Sequence, residues 1–233
     1  MVFRELQTSA AYIVHLPHLT AGEAKLLQDR FGYHPHDVEQ AINAQLTANF
    51  CTYGKYACLS FIWPSLKQSA LFPIQIFIDE KRFTIIGDVD HQISGWLDQL
   101  SQSADDPQWQ SSAPELMIAM WRMLIKDIVN HPQRSAVGSR LMESLTTSWL
   151  SSDAVVLRQC AHWLRLMTDD STVASLVILS HQLDCYQEQS AKPVAAAAVN
   201  NGDQPVVIPK LLTTYALASA VMVLTVIIFM ARL

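Results

Sequence analysis

The segment from Leu211 to Ala231 places the strongest constraint on what this chain can form. It reads LLTTYALASAVMVLTVIIFMA and contains no charged residue, no proline and no glycine. At a rise of about 1.5 Å per residue, a helix of this length spans roughly 30 Å, which is the thickness of the hydrocarbon core of a bilayer. The segment therefore predicts a single transmembrane helix over 211–231, followed only by Arg232 and Leu233.

The residues before this helix have the composition of an ordinary globular domain. The chain of 233 residues has a formal net charge of -5 and no run of Lys and Arg. A protein that neutralises many phosphates needs a basic stripe, so the sequence predicts no nucleic-acid partner. The N-terminal residues hold no apolar stretch long enough for a signal peptide. We therefore expect a single-pass protein of the cell (inner) membrane, with the lipid bilayer as one partner and the N-terminal domain in the cytoplasm.

The sequence predicts a domain of the α+β or α/β class, and its first 112 residues predict an α/β subdomain with a small mixed sheet and flanking helices. A strand over AAYIVHLP ends at Pro17. Thr20 and Glu23 have the spacing of a capping box, which predicts the start of a helix. Gly32 predicts the end of that helix, and Pro35 predicts the start of a second one.

Further along this subdomain the period of the apolar residues changes to that of a sheet. The segment 53–64 predicts a strand, and PIQIFIDEKRFTIIGD predicts a hairpin about the polar turn at residues 79–81. Ile74, Ile76 and Ile78 alternate with other residues, so at least one face of this hairpin is expected to be buried. The segment 89–100 predicts one more short helix.

After residue 112 the strand signals nearly disappear, and residues 113–186 predict a helical subdomain. Four runs with helical spacing of apolar residues follow each other, at 114–131, 137–150, 153–167 and 172–186. Antiparallel packing of the four helices is the most economical arrangement. Residues 187–210 are rich in Ala, Pro and Asn and predict a linker to the membrane helix.

This order of elements resembles the cytoplasmic part of the CorA family of divalent-cation transporters. LQDRFGYHPHDVEQAI resembles the family's Phe-Gly-aliphatic-His-Pro turn and the helix after it, with Glu39 as the acidic residue. Tyr53 and Tyr56 match a Tyr-x-x-Tyr strand. Residues 83–86, Phe-Thr-Ile-Ile, match the second of the family's paired strands. The resemblance covers about residues 10–170 and implies the CorA cytoplasmic fold.

The chain also departs from the CorA pattern. Ala48, Asn49, Phe50 and Cys51 stand where the family has Pro-Lys-x-Glu. Family transporters have two membrane helices and a Gly-Met-Asn loop at the mouth of the pore. The present sequence has no Gly-Met-Asn and predicts one membrane helix, so it resembles an atypical member.

The resemblance implies a membrane protein associated with Mg²⁺ or Co²⁺ transport. A single span cannot enclose a pore, so transport would require a homo-oligomer. The alternative is a tail-anchored adaptor or regulatory protein that transports nothing. Such a protein would keep the CorA-like domain as an interaction module and join a full-length CorA-type transporter.

Carboxylates are the residues to consider as magnesium ligands, because hard cations prefer oxygen. Asp88 and Asp90 stand two apart after the last predicted strand, beside His91. They are the candidate metal residues, and the alternative is that they cap a helix and stabilise turns.

No nucleophile elbow, HExxH motif, Walker loop or dinucleotide fingerprint occurs, so the sequence predicts no enzyme and no cofactor other than Mg²⁺. The four cysteines form no CxxC pair and are interpreted as reduced thiols. A metal site that they form with nearby histidines is the alternative.

Overall fold

A six-stranded mixed sheet forms the centre of the domain. The computed structural model describes residues 3–102, 110–131, 133, 149–165 and 169–191, which belong to one compact unit, Met1–Lys192. The strands are β1 (Arg4–Gln7), β2 (Tyr12–Leu16), β3 (Asn49–Thr52), β4 (Ala57–Ser65), β5 (Ala70–Ile78) and β6 (Arg82–Ile86). Their order in the sheet is β1-β2-β6-β5-β4-β3. Among these six described strands, only β2 and β6 are parallel neighbours.

Helices pack on both faces of this sheet. They are α1 (Ala21–Phe31), α2 (Pro35–Ile42), α3 (Gln92–Gln102), α4 (Ala113–Asn130), α5 (Trp149–Leu164) and α6 (Asp170–Ala191). The two connecting helices α1 and α2 cover one face, α3 to α5 lie on the other, and α6 packs against α4 and α5. Of the predicted α+β or α/β classes, the structure shows a mixed α/β domain, and the predicted mixed sheet with flanking helices is confirmed.

Both faces of the predicted hairpin are buried. Ile74, Ile76 and Ile78 of β5 point into the core shared with α3 to α6, while Phe77 points into the core under α1 and α2. The two cores explain why the strand alternates between large apolar side chains instead of between apolar and charged ones. The turn at residues 79–81 is confirmed by the register, in which Ile78 pairs with Phe83.

The capping signals at the first two helices are also confirmed. The Thr20 side chain accepts from the backbone N–H of Glu23, and the Glu23 carboxylate accepts from the backbone N–H of Thr20. Gly32 follows α1 with φ of 70°, a left-handed conformation that glycine adopts without strain. Pro35 occupies the first turn of α2.

Three tryptophans join the sheet to the helical layer. Trp63 of β4 lies 5.5 Å from Trp149 of α5 and 6.0 Å from Trp121 of α4, measured between ring centroids. All three side chains are fully buried. The helical tryptophans 121 and 149 are therefore core residues.

The structure differs from the prediction at several boundaries. The short strands β1 and β3 were not expected, and α6 continues to Ala191, so residues 187–191 of the predicted linker are helical. Most of the predicted run 137–150 lies outside the described residues, as do the rest of the linker and the membrane segment 211–231. Among the helices that are described, none is both long and apolar enough to cross a bilayer.

Candidate functional site

A cleft of about 520 Å³ lies at the carboxyl ends of the parallel strands β2 and β6. Residues from 17–19 and 87–91, which follow these two strands, form part of its wall. Residues from 40–47 and 65–68 form further parts of the rim. Open α/β sheets commonly bind ligands outside the carboxyl ends of their parallel strands, so this cleft is the candidate site.

The floor of the cleft is polar and firmly held. Ser60 of β4 and Gln75 of β5 are cross-strand partners that line the cleft, and their exposed fractions are 8% and 5%. The Nε2 group of Gln75 donates to the backbone oxygen of Asp37 at 2.9 Å and to the Sγ atom of Cys58 at 3.1 Å. These two bonds fix the orientation of the Gln75 amide and tie the floor to α2.

Gly87, in the wall of the cleft, lies very close to the neighbouring strand β5. Its φ is +107°, and a Cβ atom at this position would lie 2.8 Å from the backbone oxygen of Pro73. Its N–H donates to the backbone oxygen of Leu16 at 2.9 Å. The close approach and the positive φ both require glycine here.

The predicted metal residue Asp88 lines the cleft but is used as a helix cap. Only 2% of its side chain is exposed. Its carboxylate accepts the backbone N–H of Ile93 at 2.9 Å and both the backbone N–H and the hydroxyl of Ser94. These bonds satisfy the free donors at the start of α3, where a negative charge also interacts favourably with the helix dipole.

The second predicted metal residue, Asp90, joins two loops. Its carboxylate accepts the hydroxyl of Ser65 at 2.6 Å and the backbone N–H of Leu66 at 3.0 Å. Asp90 and His91 have φ values of 55° and 64°, an uncommon conformation for residues other than glycine. The Asp90 bonds hold the loop after β6 against the end of β4 and so shape the rim of the cleft.

The structure thus brings Asp88 and Asp90 to the same cleft and gives each a structural hydrogen-bonding role. Within the described ranges, no group of three or more His, Cys, Asp or Glu side chains is close enough to hold a metal ion. The occupied carboxylates favour the capping interpretation. Magnesium binding at Asp88 and Asp90 stays a prediction.

His15 of β2 contacts the backbone of Gly87, a residue of the cleft wall. It is 1% exposed, and its Nε2 atom lies 3.2 Å from the backbone oxygen of Gly87. A carbonyl oxygen only accepts, so the ring donates its Nε2–H there. Burial lowers the pKa of His15, and the nearby Asp88 charge opposes this shift.

Sequence reasoning missed two buried carboxyl groups and the polar floor. Asp37 of α2 and Asp153 of α5 are 2% and 0% exposed, and each has one oxygen without a hydrogen-bond partner among the described residues. The available signal for the floor was Gln75, which interrupts the apolar run of β5. Nothing in the sequence around Asp37 or Asp153 indicates burial.

Comparison with known proteins identifies the fold. No family model matches this sequence, and no curated protein matches it. The solved soluble domain of CorA from Methanocaldococcus jannaschii matches over 78% of this chain and 82% of its own, at 10% identity and a TM-score of 0.54. The chain has a CorA-like fold.

Two further solved structures agree with this CorA-like fold. The complete CorA magnesium transporter from Methanocaldococcus jannaschii matches at 12% identity and a TM-score of 0.55, over 78% of this chain and 65% of its own. The ZntB cytoplasmic domain from Vibrio parahaemolyticus matches at 10% identity and a TM-score of 0.52, over 80% of this chain and 85% of its own. The match therefore spans less than two thirds of the complete transporter. The resemblance to the CorA cytoplasmic domain inferred from sequence is confirmed for the fold.

Proposed function

We propose that this chain is a CorA-like membrane protein associated with the transport of a divalent cation, Mg²⁺ or Co²⁺. The observation that carries the proposal is the likeness of the described domain to CorA and ZntB cytoplasmic domains. The apolar segment 211–231 adds the membrane attachment that such a role requires. In this proposal the domain lies in the cytoplasm and the chain works as a homo-oligomer, because one span cannot enclose a pore.

Transport is tested with the full-length chain reconstituted into liposomes. Uptake of Mg²⁺ or Co²⁺ above that of protein-free liposomes supports direct transport, and uptake equal to that of protein-free liposomes contradicts it. The oligomeric state of the same preparation in detergent is the second measurement. A monomer would exclude a pore made by this chain alone.

Membrane attachment is tested with two matched lysine variants. Val221→Lys places a charge at the centre of the predicted span, where it costs about 2.5–3.5 kcal/mol. Leu211→Lys places the same charge at the end, where the side chain reaches the interface. Val221→Lys should release more protein from membranes on alkaline extraction. Equal extraction of the two variants would contradict a helix centred in the bilayer.

The proposed orientation is tested by proteolysis of intact vesicles. In right-side-out vesicles the N-terminal domain should resist added protease, since it faces the lumen of the vesicle. Lysis of the same vesicles should make the domain cleavable. Digestion before lysis would contradict a cytoplasmic domain.

A non-transporting adaptor is the second candidate function. The observation that favours it is that the 233 residues contain no Gly-Met-Asn sequence. Crosslinking in cells that also produce a full-length CorA-type transporter should then recover a complex of the two proteins. Recovery of this chain only with itself would contradict the adaptor and favour the homo-oligomer.

Magnesium binding at the cleft is proposed separately. Asp90→Asn removes one carboxylate charge while keeping an oxygen for the Ser65 hydroxyl. If Asp90 binds Mg²⁺, the ion should raise the melting temperature of the original chain more than that of the variant. Equal increases in melting temperature for the two proteins would show that Asp90 is not a ligand of Mg²⁺.

A further inference from the structure

Two cysteines lie directly opposite each other in neighbouring strands. Cys51 of β3 pairs with Cys58 of β4 in the antiparallel register. Directly opposite residues in such a pair have their side chains on the same face and their Cα atoms about 4.5–5.5 Å apart. This separation falls within the range of about 4.4–6.8 Å found for disulfides. The sheet thus presents two thiols in a geometry that a disulfide can bridge.

The two thiols differ in access. Cys51 is half-buried on β3, one of the two edge strands of the sheet, and Cys58 is buried, with 4% of its surface exposed. Burial also raises the pKa of the Cys58 thiol. An oxidant from solvent therefore reaches Cys51 first, and Cys58 is positioned to react second.

In the reduced protein the Cys58 sulfur is bonded to a residue on the side of β4 that faces away from β3 and Cys51. Its Sγ atom accepts a hydrogen bond from the Gln75 amide at 3.1 Å. Gln75 belongs to β5, and β3 and β5 flank β4 on opposite sides. A sulfur that turns toward Cys51 must leave Gln75, so the two contacts exclude each other.

We propose that Cys51 and Cys58 form an oxidation-sensitive pair that a peroxide converts into a cross-strand disulfide, releasing Gln75. The Cys51 thiolate attacks one peroxide oxygen, the O–O bond breaks, and the departing hydroxide takes a proton to become water. The Cys58 sulfur then attacks the sulfenic sulfur, the S–O bond breaks, and the second water leaves with the thiol proton. Two thiols lose two electrons, and hydrogen peroxide is reduced to two waters.

The release of Gln75 connects this reaction to the cleft. The same amide lines the cleft and donates to the backbone oxygen of Asp37 at 2.9 Å. When the sulfur leaves, one of the two partners that fix the Gln75 side chain is lost. Oxidation of the cysteine pair would therefore loosen the polar floor of the candidate site.

The disulfide is tested on the full-length chain in detergent, which is reduced, desalted and treated with hydrogen peroxide. Trypsin cleaves after Lys55 and separates Cys51, in peptide 31–55, from Cys58, in peptide 56–67. Without reductant, mass spectrometry should find the two peptides linked, with a loss of two of the four thiols per chain. Separate peptides with Cys51 oxidised to sulfinic acid would overturn the proposal.

Matched variants identify the pair and the role of Gln75. The double variant Cys160→Ser with Cys185→Ser should still give the link, and Cys51→Ser should abolish it. A link from Cys51 to Cys185, or between two chains, would overturn the pairing. Gln75→Met removes the amide that holds the sulfur and should accelerate the second step, from Cys51 sulfenic acid to the disulfide, several-fold at unchanged secondary structure. An unchanged rate of this second step would overturn the release of Gln75.

Discussion

The Asp153 carboxylate accepts the backbone N–H of Ile62 at 3.3 Å, and this bond ties α5 to β4. The pairing between β3 and β4 extends only to Ser60, so Ile62 lies beyond the end of β3. Asp153 supplies the acceptor that a longer β3 would have provided. The side chain is fully buried, and its second carboxylate oxygen has no hydrogen-bond partner among the described residues.

Burial raises the pKa of Asp153 well above its usual value of 3.8. The folded protein therefore keeps this carboxyl group protonated to a higher pH than the unfolded chain does. Since the folded state binds the proton more tightly than the unfolded state, this residue makes stability fall as pH rises above about 4. Asp153→Asn keeps an oxygen for Ile62 and cannot ionise. The variant should match the original chain near pH 4 and exceed it in free energy of unfolding near pH 7.

The measurement is denaturant unfolding of both proteins across this pH range, followed by tryptophan fluorescence. The difference in free energy of unfolding between the two proteins isolates the contribution of Asp153, because the other groups titrate in both. If the free energy of unfolding changed with pH in the same way for both proteins, ionisation of Asp153 would cost the same in the folded and unfolded states. That result would contradict the expectation.

Local signals in the sequence were sufficient for the helices and the hairpin near the N-terminus. The Thr20 capping box, Gly32 and Pro35 each act through bonds to residues only a few positions away, so sequence alone predicts them. The edge strands β1 and β3 have only four residues each. Their few apolar residues carry too little period-two pattern to be recognised.

The candidate cleft was only partly predictable. Its wall comes from segments between residues 17 and 91 that meet only when the sheet forms. The proximity of Asp88 and Asp90 follows directly from their spacing of two positions in the sequence. The Ser60 and Gln75 floor depends on the register between β4 and β5, which no short segment of sequence specifies.

A second pH effect, of opposite sign, is expected at His15. Burial lowers its pKa below the usual 6.5, although Asp88 opposes this and the positive charge of Arg4 contributes to it. On acidification the unfolded chain therefore protonates this residue at a higher pH than the folded protein does. Stability is lost as pH falls through about 6.5. His15→Gln retains an N–H for the Gly87 oxygen and does not titrate. It should lose less stability than the original chain between about pH 7 and pH 5 in the same unfolding assay.

Asp88 provides the control for the His15 prediction. Its carboxylate raises the pKa of His15, so Asp88→Asn should enlarge the loss of stability below pH 6.5 if the ring is the titrating group. A pH dependence that survives in His15→Gln would assign the effect to another residue.

Gly87→Ala should destabilise the domain by about 1–3 kcal/mol, because the residue has φ of +107° and the new methyl group would lie 2.8 Å from the Pro73 oxygen. Gly95→Ala, in the nearby helix α3, is the matched control. A Cβ atom there meets nothing within 4 Å, so this change should stabilise by about 0.5–1 kcal/mol. Thermal unfolding of the two variants checks the opposite signs, and equal shifts in melting temperature would contradict the crowding at Gly87.

The capping box at α1 gives a prediction about coupling. Glu23 accepts the backbone N–H and the hydroxyl of Thr20 at 2.9 and 2.8 Å, and it is 5% exposed. Thr20→Ala and Glu23→Ala should each cost about 1 kcal/mol, and the double variant should cost less than their sum by about 0.5 kcal/mol or more.

The Ser112 and Glu115 pair at α4 makes the same two bonds, at 2.7 and 2.9 Å, in an exposed position. Its coupling energy in the same double-mutant cycle should be smaller, because solvent competes for both groups. Additive effects at Thr20 and Glu23 would show that burial gives this box no cooperative strength.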